Sequence, residues 1–485
     1  MVVMATRWAA TCGTRPGGAR LVVAAAAVMV LTACSSNGPS SPAPSSGAGS
    51  APSTVPAHVS PSPLPSGPAA GAAWTTYGGD AARSGLDRSS PPIGRVHRVW
   101  TSPALDGAIY AQPLLFRERV FVATESDSVY ALDAASGQVA WRRHLGEAVP
   151  RSALPCGNID PTGITGTPVI DPSTGVLYAV TFVQPGRHDL VALDTADGSV
   201  RFRRPIDPPG LDPLVEQQRP ALTISDGRVY VAYGGLFGDC GEYHGAVVGS
   251  ALDGSGSLIS YRVPSGRAAG IWAPPGPTVV PGDDLLVATG NSFSTSSFDF
   301  GNAVIRLSPS LDVVDWFAPS NWLDLNRGDV DLGSTSPALL PDGLVFIAGK
   351  EGIGSLLRLD RLGHVGGEVF SARVCDRAFG GTAVRPPFVY VSCTGGVVGL
   401  RLGSGPSFQV AWRGPSFDAG PPIVSGGAVW TVDLGSGDLV ALDAGTGDQR
   451  SRQRLGAVVH FTAPAAGDGH VYVAATDRVV GVAGG

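Results

Sequence analysis

Lysine is all but missing from this 485-residue chain: Lys350 stands alone among 34 Lys and Arg residues, and every other basic position is Arg. Charge of either sign is sparse, at 15% of residues with a net of -6. That balance leaves no basic face, which excludes nucleic acid as a partner. Neither a Cys-Cys pair nor a Cys-x-x-Cys-His motif occurs. A vicinal disulfide is therefore absent, and so is a covalently attached haem that could take electrons. A membrane-spanning helix needs about 20 apolar residues, and the apolar run at 21–31 has eleven.

That run is informative for another reason. Arg7, Arg15 and Arg20 precede it, giving the form of a signal-peptide core behind a positive segment. Leu31-Thr32-Ala33-Cys34 follows and resembles the bacterial lipobox, whose cysteine is acylated and becomes the mature N-terminus. Residues 1–34 are expected to be a lipoprotein signal peptide that ends in its lipidated cysteine. Residues 35–73 are almost wholly Ser, Pro, Gly and Ala, with no aromatic residue and no Asp, Glu, Lys or Arg. Such a composition cannot bury enough apolar surface to fold. As a coil its 39 residues span about 35 Å. The expectation is a secreted domain, 74–485, tethered by lipid to the outer side of a bacterial cell membrane.

Glycine (67) and proline (41) are abundant, as suits many short strands joined by turns. From Trp74 onward one unit recurs. A Pro-containing apolar segment leads into an apolar strand, then a strand ending near Ala-Leu-Asp, a Gly turn, and a strand ending in an aromatic. The first copy shows Gln112-Pro113-Leu114-Leu115, residues 120–124, Val129-Tyr130-Ala131-Leu132-Asp133, Gly137 and Trp141. The Ala-Leu-Asp slot continues through Asp194, Asp253, Ser308, Asp360, Arg401, Asp443 and Ala483, seven intervals over 350 residues. A period near 50 with four strands per unit predicts propeller blades. The eighth unit stops after its third strand, and Arg98-Val99-Trp100 supplies the missing fourth. The fold class expected is all-β: an eight-bladed β-propeller of four-stranded antiparallel blades, closed by pairing its N- and C-terminal segments. Closure removes both sheet edges. Seven blades with one misread unit is the alternative.

The slot Ala131-Leu132-Asp133 with Gly137 and Trp141, and the opening Trp74-Thr75-Thr76-Tyr77-Gly78-Gly79-Asp80, resemble the tryptophan-docking repeats of quinoprotein-like propellers. That family includes alcohol dehydrogenases dependent on pyrroloquinoline quinone (PQQ) and calcium. It also includes a cofactor-free lipoprotein scaffold of the outer-membrane assembly machine. Trp272, in Ile271-Trp272-Ala273-Pro274, resembles the floor under the quinone, and Lys350, in Lys350-Glu351-Gly352, a quinone contact. Asn291, in Thr289-Gly290-Asn291, and Glu242 fall near the calcium ligands. Asp329-Val330-Asp331 resembles the segment that carries the catalytic base. PQQ and Ca²⁺ are the cofactors this resemblance implies.

Propeller topology groups the same residues independently. In a four-stranded blade the loop entering the inner strand and the loop between strands two and three open on one face. Arg219, Trp272, Asp329, Asp331 and His460 lie in loops of the first kind; Glu242, Asn291 and Lys350 lie in loops of the second. All are expected at one mouth of the central channel. There Arg219 serves either as a contact to an anionic cofactor or as an ion pair between blades. His244 and His460 are expected as hydrogen-bonded loop histidines. Four cysteines remain beyond Cys12 and Cys34, an even number suited to an oxidising compartment. The neighbouring loops pair Cys156 with Cys240 and Cys375 with Cys393, since other pairings would cross the ring.

Two functional readings follow. One is a membrane-anchored binding or scaffold propeller that engages an unidentified protein or small-molecule ligand through its channel mouth. The other is a PQQ- and calcium-dependent dehydrogenase in which an Asp acts as general base on an alcohol. A hydrolase or lyase lacks a nucleophile–base pattern. The missing vicinal disulfide and haem motif favour the first. Replacing Cys34 by Ala should release the protein into the medium, and intact-mass measurement of the membrane-extracted parent should find an acylated Cys34 at its N-terminus. A mature N-terminus elsewhere, without acyl mass, would refute the anchor.

Overall fold

The computed structural model describes residues 73–484; Cys34, the signal segment and the tether up to residue 72 lie outside the described residues. Short strands rich in Val, Ala, Leu and Tyr pair into eight separate sheets, so eight blades are present and the seven-blade alternative falls. Blade 1 is typical, with Leu114–Phe116, Arg119–Thr124, Ser128–Asp133 and Val139–His144 joined in sequence order. Five consecutive residues of Ser128–Asp133 are buried, because neighbouring blades cover both faces of a middle strand. An outermost strand such as Val200–Pro205 instead alternates between exposed and half-buried residues, the period-two pattern of a sheet edge facing water.

Insertions fall in the longer units. Blade 3 gains Glu216–Gln217, which pairs with Gly235 and Gly234 beside the inner strand Thr223–Ser225. Blade 4 gains His364–Val365, a parallel fifth strand against Val313–Ala318. Between blades 4 and 5 the chain forms a seven-residue helix, Trp322–Gly328.

Two devices close the ring. Val96–Thr101 pairs antiparallel with Arg478–Gly484, from Val96 opposite Gly484 to Thr101 opposite Val480. This strand completes blade 8 from the other end of the chain. Its Trp100 then docks on blade 1: the indole Nε1 donates to the Ala134 carbonyl at 2.9 Å, and the ring lies flat on Gly137. Gly137 has φ +71°, and a Cβ there would collide with the indole, so the turn requires glycine on both counts. Trp141 on Gly198 and Trp412 on Gly447 repeat the same contact.

The hollow axis is the second problem. Each inner strand turns unpaired backbone groups toward the channel, where water is scarce. Residues 74–87 thread through it and pair with blade after blade. Trp74 exchanges hydrogen bonds with Leu115 of blade 1, at 2.7 and 2.9 Å. The Thr75 carbonyl accepts from Ile170, Ala81 from Val279, Ser84 from Val384 and Gly85 from Val424, all at 2.7–2.9 Å. Arg83 is the centre of this plug. Only 4% exposed, it donates to the carbonyls of Leu222 (2.9 Å), Tyr77 (3.0 Å) and Pro277 (3.2 Å) and to the hydroxyls of Thr76 and Thr223.

Both expected disulfides form, Cys156–Cys240 and Cys375–Cys393. Deleting residues 74–103 removes the closing strand and the axial plug together, leaving an open edge on blade 8 and unpaired inner strands. The truncated protein should aggregate or lose its cooperative melt. A melt matching that of the parent would show that neither device holds the ring.

Candidate functional site

At one end of the channel three loops converge. The helix Trp322–Gly328 ends on Asp329, which adopts a left-handed φ of +50° and caps the helix with its N–H on the Leu325 carbonyl. Glycine is usual at such a position; here the strain places a carboxylate at the mouth. Two residues on, Asp331 is buried, and its backbone carbonyl accepts from the Lys350 N–H at 2.8 Å. The Lys350 ammonium lies 2.7 Å from Asp331 Oδ2 and 3.2 Å from Asp329 Oδ1. It also sits 5.8 Å from the centre of the Trp272 ring, within cation–π range.

Asp331 is held from every side. Its Oδ1 accepts from the Asn291 N–H at 2.6 Å, and Asn302 Oδ1 accepts from the N–H of the next residue, Leu332, at 2.7 Å. Asn302 is fixed in turn by Asn326, whose Oδ1 accepts from Asn302 Nδ2 at 2.9 Å and from the Ser292 N–H at 3.1 Å. Gly290 lets these groups approach: a Cβ there would lie 2.8 Å from Asp331 Oδ1 and 3.0 Å from Trp272 Nε1. Burial pushes the Asp331 carboxyl up, and the Lys350 charge opposes this. Burial would also lower the Lys350 ammonium, but Asp331, then Asp329, outweigh it and hold it above its ordinary value.

Trp272 leans on Phe461, with ring centres 6.2 Å apart. Phe461 is buried with φ +66°, and it carries the guanidinium of Arg219 at 4.5 Å on its ring and His460 at 3.8 Å beside it. Burial lowers the His460 imidazole to about 4, with Arg219 adding to the effect, so it is neutral at physiological pH. Burial also lowers Arg219 to about 10. Neither an ion pair nor a hydrogen bond is made by Arg219 among the described residues, so the blade-to-blade ion pair does not form.

The structure thus gathers Trp272, Asn291, Asp329, Asp331 and Lys350 around one point, with Arg219 and His460 reached through Phe461. Glu242 is left out. Its side chain is 78% exposed and faces Arg267 at 3.9 Å, because its loop turns outward beside the Cys156–Cys240 bridge. His244 is likewise away from the mouth, buried with Nε2 2.7 Å from Arg262. Phe461 and Glu125 were not singled out by sequence. Both occupy loops of the two kinds that open on the mouth, so the loop rule contained them; no motif marked them.

Could these residues hold the implied cofactors? For calcium they do not fit. Of the two expected ligands, Glu242 is turned outward to Arg267 and Asn291 is left without an unpaired acid beside it, since Asp329 and Asp331 both face the Lys350 ammonium; among the described residues no group of three His, Cys, Asp or Glu is placed to hold a metal. For a planar acidic molecule they fit better, with Trp272 as a ring platform and Lys350 and Arg219 as cations. No helix among the described residues is long and apolar enough to cross a membrane.

Comparison with known proteins agrees with this architecture. The model of the family described as outer membrane protein assembly factor BamB matches residues 94–180 and 396–483. A polyvinylalcohol dehydrogenase from Sphingopyxis sp. is 26% identical over 250 residues, which is 45% of this chain and 35% of that protein. One from Pseudomonas sp. is 27% identical over 253 residues, 48% of this chain and 37% of that protein. The chain therefore spans little more than a third of the length of these curated relatives. Among solved structures, a quinohemoprotein alcohol dehydrogenase from Pseudomonas putida superposes with a TM-score of 0.68 at 14% identity, over 85% of this chain and 80% of that one. BamB from Moraxella catarrhalis gives 0.57 at 16% identity, over 80% of this chain and 100% of that one. Repeats, docking tryptophans and superposition agree on the fold: the chain is an eight-bladed propeller, similar to those of the quinohemoprotein dehydrogenases and of BamB.

Proposed function

We propose that this chain is an extracytoplasmic, lipid-anchored propeller that binds a ligand through its channel mouth, with Lys350 as the resident cation in place of a metal. The observation that carries this reading is the ammonium lodged 2.7 Å from Asp331 and 3.2 Å from Asp329. A general base needs a free lone pair within reach of the substrate proton. Each carboxylate oxygen of Asp331 already accepts a donor, one the Asn291 N–H and one Lys350, so a substrate proton would compete with both, while the exposed Asp329 shares the same ammonium through Oδ1. Missing haem and vicinal cysteines point the same way. The dehydrogenase reading draws on the names of the relatives and on the aromatic platform, and it would need the acids released from Lys350.

Two measurements test the site. Lys350→Met should cost about 3 kcal/mol or more, because it strands Asp331 as a buried unpaired charge. Adding Asp331→Asn to that variant should recover most of the loss, since the buried charge goes while the acceptor for Asn291 stays. Denaturant melts of the two singles and the double decide it; a neutral Lys350→Met would mean the pair is not buried. Separately, PQQ is titrated into the purified protein in Ca²⁺ and in EDTA, followed by dye reduction with a panel of alcohols. The binding isotherm should be the same in both, with no alcohol-dependent reduction. Turnover that appears only with calcium would overturn the binding reading and establish the dehydrogenase.

A further inference from the structure

Two arginines in this channel have been treated in opposite ways. Burial lowers Arg83 and Arg219 alike to about 10. Arg83 is satisfied by five oxygen acceptors. By contrast, Arg219 has none: its Nε is buried without a hydrogen-bond partner, and the ring of Phe461 covers one face of the guanidinium. A desolvated cation left without an acceptor costs free energy. The residue is half-buried, and of its three side-chain nitrogens Nε is the one that is shut off from solvent without a partner.

The groups near Arg219 share the same lack. The hydroxyl of Tyr77, a residue 5% exposed, is buried with no partner. Glu125, 1% exposed, accepts at Oε2 from the Gly163 N–H (2.7 Å) and the Thr165 hydroxyl (3.0 Å), while its Oε1 has no partner. Tyr77 packs in one buried cluster with Ala221 and Ala463, each two residues along the chain from Arg219 and Phe461, and the Arg219 charge acts on Tyr77, on Glu125 and on the half-buried Tyr110. Burial lifts the Glu125 carboxyl to about 7, against the pull of the Gly163 and Thr165 donors, so it can present a proton at neutral pH. The His460 imidazole is neutral and brings no counter-charge.

We infer that Arg219, Tyr77 and Glu125 form a receiving site for the carboxylate of a small organic ligand, entered from the channel mouth. The guanidinium and the phenol are donors that meet no acceptor among the described residues, and the unpartnered Oε1 of Glu125 can carry a proton. A carboxylate has the planar pair of oxygens that a guanidinium binds in bidentate fashion. The inference rests on the reading of the mouth as a ligand site, yet is tested apart from it because Lys350 is untouched.

Benzoate and benzamide serve as probes, titrated by calorimetry into the parent, Arg219→Gln, Arg219→Met and Tyr77→Phe, with thermal melts of each. The parent should bind benzoate and discriminate against the neutral amide. Either Arg219 variant should lose at least tenfold in benzoate affinity while melting above the parent, because an unsatisfied buried charge has been removed. Tyr77→Phe should weaken benzoate binding by a smaller factor and leave the melt near that of the parent. Absence of saturable benzoate binding to the parent, equal binding of benzamide, or unchanged affinity in both Arg219 variants would overturn the site. Lower melting of both variants would do the same, by showing Arg219 to be structural. A calcium requirement for benzoate binding would bear on the mouth reading alone and leave the Arg219 comparison standing.

Discussion

The unpaired inner edges of eight sheets are the constraint on which this molecule depends. A propeller covers the faces of its sheets by stacking blade on blade and secures its chain ends by pairing Val96–Thr101 with Arg478–Gly484. Neither device reaches the axis, where each inner strand still presents backbone donors and acceptors to a narrow channel. The chain solves this with its own opening segment. Residues 74–87 supply carbonyls to blades 2, 4, 6 and 7 and exchange bonds with blade 1. Arg83 ties blades 3 and 4 to the same segment with a rigid fork of donors. Blade 8 is reached through Gln112, which accepts from Trp74 Nε1 at 3.0 Å and donates to the Pro464 carbonyl at 2.7 Å. Few side chains other than arginine could satisfy five acceptors from one position.

Filling the axis decides where a ligand can go. The plug follows the inner strands, and the candidate groups stand on the entering loops and the second-to-third-strand loops. Charge there is arranged unevenly. On the blade 5 side one ammonium serves two carboxylates, both close enough for ion pairs. Toward blades 1 to 3 one guanidinium has no acid to serve. Phe461 and Trp272 stand between the two. A ligand that carries an anionic group therefore gains most near Arg219, where no desolvated ion pair has to be broken before it binds.

Legibility in the sequence followed how local each cause was. The blade count, the closing strand that carries Trp100 and both disulfides were readable, because each follows from a repeated unit or from adjacency of loops. Trp272, Asn291, Asp329, Asp331 and Lys350 were brought together as the loop topology required. Glu242 was not, since its loop has the right class but its side chain turns outward to Arg267, a choice that no repeat dictates. Arg83 was illegible for a different reason. Its acceptors lie up to 194 residues away in sequence, so a basic residue in a Gly-rich opening looks like any solvated one. The same holds for Glu125, whose environment is made by Gly163 and Thr165 from the next blade. The helix Trp322–Gly328 also escaped notice: seven residues is below the length at which helical periodicity shows itself.

A fold shared with dehydrogenases does not carry their chemistry along with it. What carries chemistry is the state of the groups at the mouth. In a calcium-dependent oxidation the acids must ligate the metal or take a proton, and either task competes with the donors that the acids already hold. Here Asp331 gives one oxygen to a backbone N–H and the other to Lys350, and it is held in that position through Asn302 and Asn326. Such support usually marks a group whose placement matters, and this placement serves a salt bridge. The near absence of lysine from the rest of the chain sharpens the point. A compact ammonium with three donors can reach two carboxylates and a ring face from one stem, whereas a planar guanidinium commits its donors to a single plane. Lys350 therefore suits a mouth whose two acids are already paired before any metal arrives, and Arg219 is the cation there that has no acceptor among the described residues.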